Sequence, residues 1–342
     1  MHGGGKCQVL AIELERQNII YFADTKIVQK ALNNKDPYLA GKIFKFNFKG
    51  RNNRVFLGND VKFGKFFNAT FTGNDNSIEL NHDCTCSGGT INFEGNENTC
   101  VIQNSCKLMP DAKIVFKKNS NFAYIGPKST IHSSAVLSFS GNNAVAYCCG
   151  PLNLRQSIAL TMGSIFFYGG HNNNITIRNH SYGAFEGQNI LIGSHTLFAA
   201  DLSIRTSDIH LIYDNKTLKR TNTGKSIIIG KRVWIGKDCI LLKGAKIEDG
   251  CIVGTRSIVT GHIPENCICA GSPAKVKREN IFWDVNVPVN FTRAELEEHE
   301  TYKNPIAEHK GVGYQKLLKI DEIEPLISAK EKIKLIEQII SN

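Results

Sequence analysis

One histidine of this chain lies between two carboxylates at a spacing that suits general-base chemistry. His210 follows Asp208 by two residues and precedes Asp214 by four, within the segment TSDIHLIYD at 206–214. A histidine can accept a hydroxyl proton near neutral pH, and a neighbouring carboxylate can hold the useful tautomer of its ring. In a strand, side chains two residues apart point to one face, so Asp208 and His210 are expected to lie together. A turn-forming role for either aspartate is the alternative.

Apolar residues recur at every sixth position across residues 227–259, and a small or apolar residue stands two positions before each of them. Neither a helix, with 3.6 residues per turn, nor a strand that alternates every two residues gives this period. A period of six predicts a three-sided solenoid in which each unit forms one side and the aliphatic points inward. The two columns are Ile229, Ile235, Leu241, Ile247, Val253 and Val259, and Ile227, Val233, Cys239, Ala245, Cys251 and Ser257.

Two kinds of residue beside these columns are predicted to have roles of their own. Gly230, Gly236 and Gly254 follow the repeated aliphatic and are expected at corners that need a positive φ. Trp234 lies between two inward residues, so its indole is expected to point outward or to an edge. An indole there can donate a hydrogen bond to a ligand; packing against a neighbour is the alternative.

A longer repeat runs through residues 41–164. Units of 22 or 23 residues begin at Phe48, Phe71, Phe93, Phe116 and Phe139, and Phe167 is interpreted as a sixth unit after a gap of 28. Asparagine follows the first four phenylalanines by five residues, at Asn53, Asn76, Asn98 and Asn121. Such periods indicate one solenoid coil per unit. The phenylalanines are predicted to stack inside, and the asparagines to form a ladder at corners in the left-handed conformation.

The two ends of the chain differ from the solenoid in pattern. Residues 1–40 are predicted to form a cap with a short helix at 24–34, and residues 285–342 a C-terminal extension. Leu326–Ile340 is the helix candidate there, with Pro325 at its start. Its apolar stripe is expected to pack on the solenoid or on a neighbouring subunit, with contact to a membrane surface as the alternative. The stripe consists of Leu326, Ala329, Ile333, Ile336 and Ile340.

The period of six resembles that of the hexapeptide-repeat (left-handed β-helix) acyltransferases. Residues 262–278, HIPENCICAGSPAKVKR, are similar to the family's ending with its Gly-x-Pro-Ala-Lys loop. Residues 206–214 and the run VWIG at 233–236 resemble the branch of bacterial capsular and surface polysaccharide O-acetyltransferases. The resemblance covers residues 165–284. It implies an all-β solenoid in which irregular N-terminal coils continue into a left-handed hexapeptide-repeat β-helix.

The resemblance also implies a reaction. Acetyl-CoA would be the donor, and His210 would take the proton of a sugar hydroxyl as that hydroxyl attacks the thioester directly. Asp208 or Asp214 would orient the imidazole, and Trp234 would lie beside the reacting groups. The family's homotrimer, with active sites between subunits, is expected here too.

The expected coenzyme site combines residues of the last coils with the loop that follows them. It consists of Gly236, Gly254, Ser272, Pro273, Ala274, Lys275, Lys277 and Arg278. Ser272 departs from the family, which usually has asparagine, and the cations suit phosphates; a solvated edge is the alternative. His171, His195 and Tyr213 are candidate acceptor contacts, with structural or surface roles as the alternative for the histidines. The histidine spacing does not match the metal-dependent gamma-type carbonic anhydrases, so no metal is expected.

Composition narrows the class of partner. The net charge is +10, which favours anionic partners such as coenzyme A or an acidic polysaccharide, with simple solubility as the alternative. No nucleic-acid module is recognised, and no run of 18 or more apolar residues predicts a membrane span. The 11 cysteines without a signal-peptide pattern favour reduced thiols in the cytoplasm. Cys239 and Cys251 belong to the inward columns, where they are expected to pack in the interior.

The sequence therefore predicts a cytoplasmic O-acetyltransferase that acts on a bacterial capsular or surface polysaccharide. Two alternatives remain open at this point. One is an acetyltransferase for a small sugar or nucleotide sugar, which would not prefer longer acceptors. The other is a non-catalytic solenoid that serves as a scaffold in capsule assembly through residues 285–342.

Overall fold

The chain winds as a three-sided β-solenoid in a computed structural model that describes residues 10–23, 45–155, 157–170, 180–285, 288–302 and 311–342. Each coil visits three faces in the same order, and successive coils pair as parallel strands along each face. The predicted all-β solenoid with a small helical C-terminal extension is confirmed. The predicted helix at 24–34 lies outside the described residues.

The strands of each face are stacked in chain order. Face 1 contains Leu10–Glu13, Ile19–Phe22, Arg54–Leu57, Ser77–Leu80, Thr99–Ile102, Phe122–Ile125, Val145–Cys148, Ile165–Tyr168, Ile190–Ile192, Ile227–Ile229, Lys246–Ile247 and His262–Ile263. Face 2 contains Lys62–Phe63, Thr85–Cys86, Lys107–Leu108, Thr130–Ile131 and Asn153–Leu154, then Leu197–Phe198, Trp234–Ile235, Ile252–Val253, Ile268–Gly271 and Ala274–Arg278. Face 3 contains Phe46–Phe48, Asn68–Phe71, Thr90–Phe93, Lys113–Phe116, Val136–Phe139, Ser157–Leu160, Ser181–Ala184, Ser203–Arg205, Ile240–Leu241 and Ile258–Val259. Among the strands of the described residues, only the first and last pairs, Leu10–Glu13 with Ile19–Phe22 and Ile268–Gly271 with Ala274–Arg278, are antiparallel.

The period of six in the sequence equals one face of the solenoid. Strands Ile227–Ile229, Trp234–Ile235 and Ile240–Leu241 occupy faces 1, 2 and 3, and the next coil repeats them. All twelve predicted inward positions are 1% exposed or less. Burial of aliphatic side chains at about 25 cal/mol per Å² therefore stabilises every coil against its neighbours.

The predicted role of the three repeat glycines is wrong. Gly230, Gly236 and Gly254 do not have a positive φ. A Cβ on Gly236 would instead lie 2.6 Å from the backbone nitrogen of Thr255 in the next coil, so glycine is needed because the coils approach closely. The left-handed residue falls two positions later in each unit, at Arg232, Asp238, Gly244, Gly250 and Arg256.

The N-terminal coils contain the predicted stack of phenylalanines. Ring centroids along Phe48, Phe71, Phe93, Phe116 and Phe139 lie 4.6–4.8 Å apart. The prediction that Phe167 is the sixth member of this stack is wrong, since Leu160 pairs with Phe139 on face 3 whereas Phe167 belongs to face 1. The coil that contains Pro151 is shorter than the preceding ones, so the residue that follows Phe139 in the stack is Leu160.

The predicted asparagine ladder is confirmed in its contacts but not in its backbone conformation. Asn53, Asn76, Asn98 and Asn121 are buried, and the side-chain oxygen of each accepts from the backbone nitrogen one coil on, at 2.9–3.0 Å. The positive φ belongs to the residue before each one: Asn52, Asp75, Glu97 and Ser120. The side-chain amide of the asparagine that follows is then directed to the next coil along the solenoid axis.

The C-terminal extension packs on the outer side of face 1, as one of its two predicted arrangements requires. Helix α1 is Arg293–Glu298, α2 is Tyr314–Asp321 and α3 is Ala329–Ser341, with 3-10 turns at Glu15–Gln17 and Pro288–Asn290. Leu317, Ile320 and Ile336 are buried against outward residues of face 1 such as Phe167 and Ile228. None of these described helices is long and apolar enough to cross a bilayer.

Helix α3 begins three residues later than predicted. Ser328 is its N-cap and forms a capping box with Glu331, so Leu326 stays outside the helix and is 67% exposed. The capping oxygen satisfies the first free N–H groups better than Pro325 could. Lys332 on this helix is fully buried, and its ammonium donates to the carbonyl oxygens of Asn143, Gly163 and Pro325 at 2.6–2.8 Å.

Candidate active site

His210 lies on a loop that leaves the solenoid between face 3 and face 1. The loop follows strand Ser203–Arg205 and returns at Ile227–Ile229. Its base is closed by the backbone N–H of Lys225, which donates to the carbonyl of Thr206 at 3.0 Å. The side chain of His210 is exposed at the solenoid edge, where a substrate can reach it.

The predicted strand geometry of Asp208 and His210 is wrong, since neither residue belongs to a strand. The N–H of His210 donates to the carbonyl of Asp208 at 2.8 Å across a tight turn, with Ile209 between them at φ 70°. A β-branched residue in this region is a backbone outlier that costs about 1–3 kcal/mol, and such strain is concentrated at functional sites. The strain at Ile209 therefore supports a functional role for the turn that presents His210.

A carboxylate from the preceding coil holds the base of the loop. Glu186 accepts from Arg220 Nη2 at 2.8 Å on both oxygens, from the N–H of Gly224 at 3.1 Å, and from the Ser207 hydroxyl. The Arg220 hydrogen bonds, followed by that of Ser207, lower the pKa of Glu186 to about 2. The carboxylate is therefore charged across the neutral range and ties both ends of the loop to the solenoid.

The two predicted orienting carboxylates have other partners. Asp208 accepts from Lys243 Nζ and from Asn222 Nδ2, and these two groups lower its pKa. Asp214 accepts from the N–H of Thr217 at 2.7 Å and from its hydroxyl at 2.9 Å, which lowers the pKa of Asp214 within a turn of the loop. Among the described residues, neither carboxylate hydrogen-bonds the imidazole, so Asp214 fits its alternative role as a turn former.

Asn222 fixes the backbone of His210 instead. It is 6% exposed; its Oδ1 accepts from the N–H of Ile212 at 2.9 Å, and its Nδ2 donates to the carbonyl of His210 at 2.7 Å. The two sides of the loop are thereby joined beneath the histidine. The described residues place no hydrogen bond on either ring nitrogen of His210, so the ring can accept a proton from a bound hydroxyl.

Trp234 points outward from face 2, as predicted, and is 39% exposed. The buried indole of Trp283, five residues after the terminal strand Ala274–Arg278, lies 6.0 Å away between ring centroids. Trp283 Nε1 donates to the carbonyl of Arg232 at 2.7 Å, and the Arg232 guanidinium returns a hydrogen bond to the carbonyl of Trp283. Arg232 also lies 5.7 Å from the Trp283 ring centroid, a cation–π distance.

The structure does not bring His210 and Trp234 together within one chain. The His210 loop leaves at the edge between faces 3 and 1, whereas Trp234 lies on face 2. The described residues include no hydrogen bond or ring contact between them.

The predicted coenzyme residues gather at the edge between face 2 and face 3. Gly236 and Gly254 follow successive strands of face 2, and Gly271 begins the turn of the terminal hairpin and donates its N–H to Ser257 Oγ at 3.1 Å. Strand Ala274–Arg278 pairs back on the last coil and exposes Lys275, Lys277 and Arg278, as well as the turn residues Ser272 and Pro273 before it.

The backbone amides of the two glycines are already used. Gly236 N–H donates to Val253 O and Gly254 N–H to Cys269 O, both at 2.8 Å. These glycines can therefore offer a ligand a smooth surface but no free amide donor.

Two of the three predicted acceptor residues lie within the described part of the chain, on different elements. Tyr213 is on the His210 loop, is 55% exposed and bridges to Arg220. His195 is half-buried at the corner between faces 1 and 2, with φ 60°. His171 lies outside the described residues.

Four residues that organise this region were not singled out from the sequence: Glu186, Asn222, Lys243 and Trp283. Glu186 and Arg220 are 34 residues apart, and Trp283 and Arg232 are 51 apart. No local motif links such pairs. The one available signal was the rarity of tryptophan, since Trp283 is one of only two in the chain.

Known proteins are similar to this chain in the region that contains the hexapeptide coils. Residues 226–261 match the model of the family described as "Bacterial transferase hexapeptide (six repeats)". The polysialic acid O-acetyltransferase of Escherichia coli O1:K1 / APEC is 38% identical over 95 residues, 28% of this chain and 31% of that protein. The polysialic acid O-acetyltransferase of Neisseria meningitidis is 30% identical over 198 residues, 56% of this chain and 87% of that protein.

The chain thus spans about a third of the length of the Escherichia coli relative and most of the Neisseria one. A solved structure, that of the polySia specific acetyltransferase NeuO, aligns with a TM-score of 0.44 and 22% identity. That alignment covers 75% of this chain and 97% of the other.

Proposed function

The chain belongs to the hexapeptide-repeat acyltransferases, in the branch of bacterial surface-polysaccharide O-acetyltransferases, and on that premise we propose that it transfers acetyl from acetyl-CoA to a sugar hydroxyl of a capsular or surface polysaccharide. The observation that carries the proposal is the exposed His210 on a strained, tethered loop beside the hexapeptide coils. The ten described cysteines are free and mostly buried, which supports a reducing compartment, and we propose the cytoplasm.

In the proposed reaction the acceptor hydroxyl attacks the thioester carbonyl of acetyl-CoA. A new C–O bond forms as the hydroxyl proton passes to His210. The tetrahedral intermediate then expels the coenzyme thiolate by breaking the C–S bond, and the protonated His210 returns its proton to that sulfur. Donors aimed at the developing oxyanion lower the barrier, and Trp234 Nε1 is the side-chain candidate. No serine or cysteine nucleophile is required.

The proposed donor site is the edge formed by Gly236, Gly254 and the terminal hairpin. Lys275 and Lys277 belong to the terminal strand Ala274–Arg278, and both are exposed. Ammonium groups in this arrangement suit the phosphates of a coenzyme A nucleotide. Ser272, Pro273 and Ala274 would border the same ligand without contributing charge.

We propose a homotrimer whose active sites lie between subunits. The separation of His210 from Trp234 supports this arrangement, because one chain alone does not unite them. The His210 loop also exposes large apolar side chains that a neighbouring copy would cover. These are Ile209, Leu211, Ile212 and Leu218, each at least 52% exposed.

The proposed acceptor contacts are Tyr213, on the same loop as His210, and His195, with His171 kept from the sequence prediction. An aromatic ring such as that of Tyr213 suits the apolar face of a sugar. Asp208 is proposed to act on His210 only indirectly, through the Asn222 that both residues contact.

The deciding experiment measures thiol release from acetyl-CoA in the presence of a panel of bacterial capsular polysaccharides, with the wild type and His210→Ala. We expect acceptor-dependent release in the wild type and a loss of about 100-fold or more in the variant, the usual contribution of a general base. His262→Ala is the matched control, because His262 is also exposed but pairs with Glu248 on face 1.

Each other outcome has a definite meaning. Release with short sugars but no preference for polymers would favour a small-molecule acceptor. Equal activity of His210→Ala and wild type would overturn the role of His210. Absence of both transfer and acetyl-CoA binding would leave the non-catalytic scaffold.

A further inference from the structure

Face 3 presents two straight rows of outward side chains that run along the solenoid. In-register parallel pairing places each residue of a row directly over the equivalent one in the next coil. The first row is Asn47, Thr70, Asn92, Val115, Ser138, Ala159, Gly183 and Arg205. Its seven spacings of about 4.8 Å give a length of about 34 Å.

The outward residues of this face are small, polar or cationic. The second row consists of Asn68, Thr90, Lys113, Val136 and Ser157. None of the residues in either row is a carboxylate, and Lys113 and Arg205 are exposed cations with no described ion pair. Hydroxyl, amide and ammonium groups on a flat surface suit the hydroxyls and carboxylates of an acidic sugar polymer.

The first row ends at the candidate active site. Gly183 has no side chain, and a Cβ there would lie 2.3 Å from the ring of Phe185, so this aromatic ring occupies the place in the row. Arg205 follows in register and is the last residue before the chain departs into the His210 loop. The row therefore leads from the N-terminal coils past an aromatic ring and a cation to His210.

The other surfaces are less suited to such a ligand. Face 1 is covered over several coils by helices α2 and α3. Residues 285–342 contain eight Lys and Arg against ten Asp and Glu, a net charge of −2, whereas residues 41–164 contain thirteen against seven, a net charge of +6. The positive charge that attracts an anionic polymer thus belongs to the N-terminal solenoid rather than to the extension.

We propose that face 3 between strands Phe46–Phe48 and Ser203–Arg205 is a binding track for an acidic polysaccharide, which it delivers to His210. This inference rests on the proposed function and names its substrate as an anionic polymer rather than a short sugar. The track explains what the N-terminal coils contribute, since they lie outside the hexapeptide repeat.

The test compares two charge reversals, one on face 3 and one on the neighbouring face 2. Lys113 on face 3 and Lys107 on face 2 belong to the same coil, and both are exposed. Lys113 lies four strands, or about 19 Å, from strand Ser203–Arg205, so Lys113→Glu leaves the reacting groups untouched. Thiol release is measured with the acidic capsular polymer that gives the highest rate, intact and as short fragments.

We expect Lys113→Glu to raise the KM for the intact polymer by roughly three- to tenfold without changing kcat or the KM for short fragments. Lys107→Glu should leave all of these values unchanged. The effect of Lys113→Glu should shrink at high salt, since exposed charges are screened.

The proposal is overturned if both variants raise the polymer KM equally, or if neither does while acetyl transfer continues. It is also overturned if Lys113→Glu changes the sedimentation coefficient, because face 3 would then be a contact between copies of the chain. If the wild type transfers acetyl to no acceptor, the proposed function fails instead. The track is then tested directly by filter binding of polysialic acid, where equal retention by both variants would exclude it.

Discussion

Trp283, in the segment that follows the terminal hairpin, packs beside Trp234 of the hexapeptide coils, with 6.0 Å between ring centroids and an interplanar angle of 52°. Its indole N–H is anchored to the backbone of Arg232, two residues before Trp234. Trp283 is only 6% exposed, whereas Trp234 remains 39% exposed. Trp283 therefore supports a candidate site residue whose own outer surface stays exposed.

Trp283→Ala should lower kcat/KM for thiol release by about tenfold, because a loosened Trp234 no longer holds one orientation. Trp283→Phe should recover part of that loss, since it keeps a ring but not the hydrogen bond to Arg232. The chain has two tryptophans, so the fluorescence anisotropy of Trp283→Ala reports on Trp234 alone and should show faster motion. Phe282→Ala, an exposed neighbour that contacts Tyr302, is the control; an equal loss there would contradict the positioning role.

Glu186→Gln should loosen the His210 loop without unfolding the solenoid. The variant weakens the hydrogen bonds from Arg220, Ser207 and Gly224. Hydrogen exchange at residues 207–224 should become faster, while the strands of the adjacent coils keep their protection. Glu94→Gln, an exposed carboxylate with no described partner, should change neither region.

The pH dependence of this tether follows from the lowered pKa of Glu186, about 2 in the folded chain against an ordinary 4.5. A carboxylate whose pKa is lowered in the folded state contributes its full stabilisation above its pKa in the unfolded state. That contribution is lost as pH falls through its pKa in the folded state. The tether should therefore be constant from pH 8 to pH 5 and weaken between about pH 4.5 and 2. Loop exchange rates, corrected for intrinsic pH effects, that already increase at pH 6 would rule out this carboxylate as the tether.

Gly236→Ala should destabilise the hexapeptide coils by about 1–3 kcal/mol, the cost of overpacking a site that cannot yield. The new Cβ would lie 2.6 Å from the backbone nitrogen of Thr255. Gly261→Ala is the matched control, because no atom lies within 4 Å of its Cβ position. Thermal melting followed by circular dichroism should show a lower midpoint for Gly236→Ala only; equal midpoints would contradict the close approach of the coils.

Lys332→Met should destabilise the docked helix α3 by about 3 kcal/mol, because three buried carbonyls lose their shared donor. Lys334→Met, on the exposed side of the same helix, should cost little. Urea unfolding of both variants measures the difference. Equal free energies of unfolding would mean that the buried ammonium does not anchor the helix.

The contribution of Lys332 should also depend on pH in the alkaline range. Burial lowers the pKa of Lys332 to about 8, against an ordinary 10.5. Between these values the unfolded chain holds a proton that the folded chain has released, so the folded state gains stability as pH rises from 8 to 10.5. The free-energy difference between wild type and Lys332→Met should grow across that window, and a constant difference would contradict the lowered pKa.

The fold could be predicted because its repeats are local. Ile235 and Val253 are buried where a period of six places them, and the phenylalanine stack follows a period of 22 or 23. The prediction fails at Phe167, where one coil has a different length from the others. It also fails at the start of helix α3, where Ser328 rather than Pro325 caps the helix. The positive φ was assigned to glycine by propensity, whereas the turn places it at Arg232 and Asp238.

The sequence by itself determined which side chains face the prism interior, because inward and outward positions follow from the spacing of residues within one coil. It also determined the segment around His210 as a candidate for chemistry. Only the tertiary structure decided that Asn222 and Glu186 hold that segment, that Asp208 pairs with Lys243, and that Trp283 supports Trp234. These contacts join different coils, the two sides of one loop, or a coil and the segment after the terminal hairpin, so the folding of the chain, rather than any local pattern, brings their partners together.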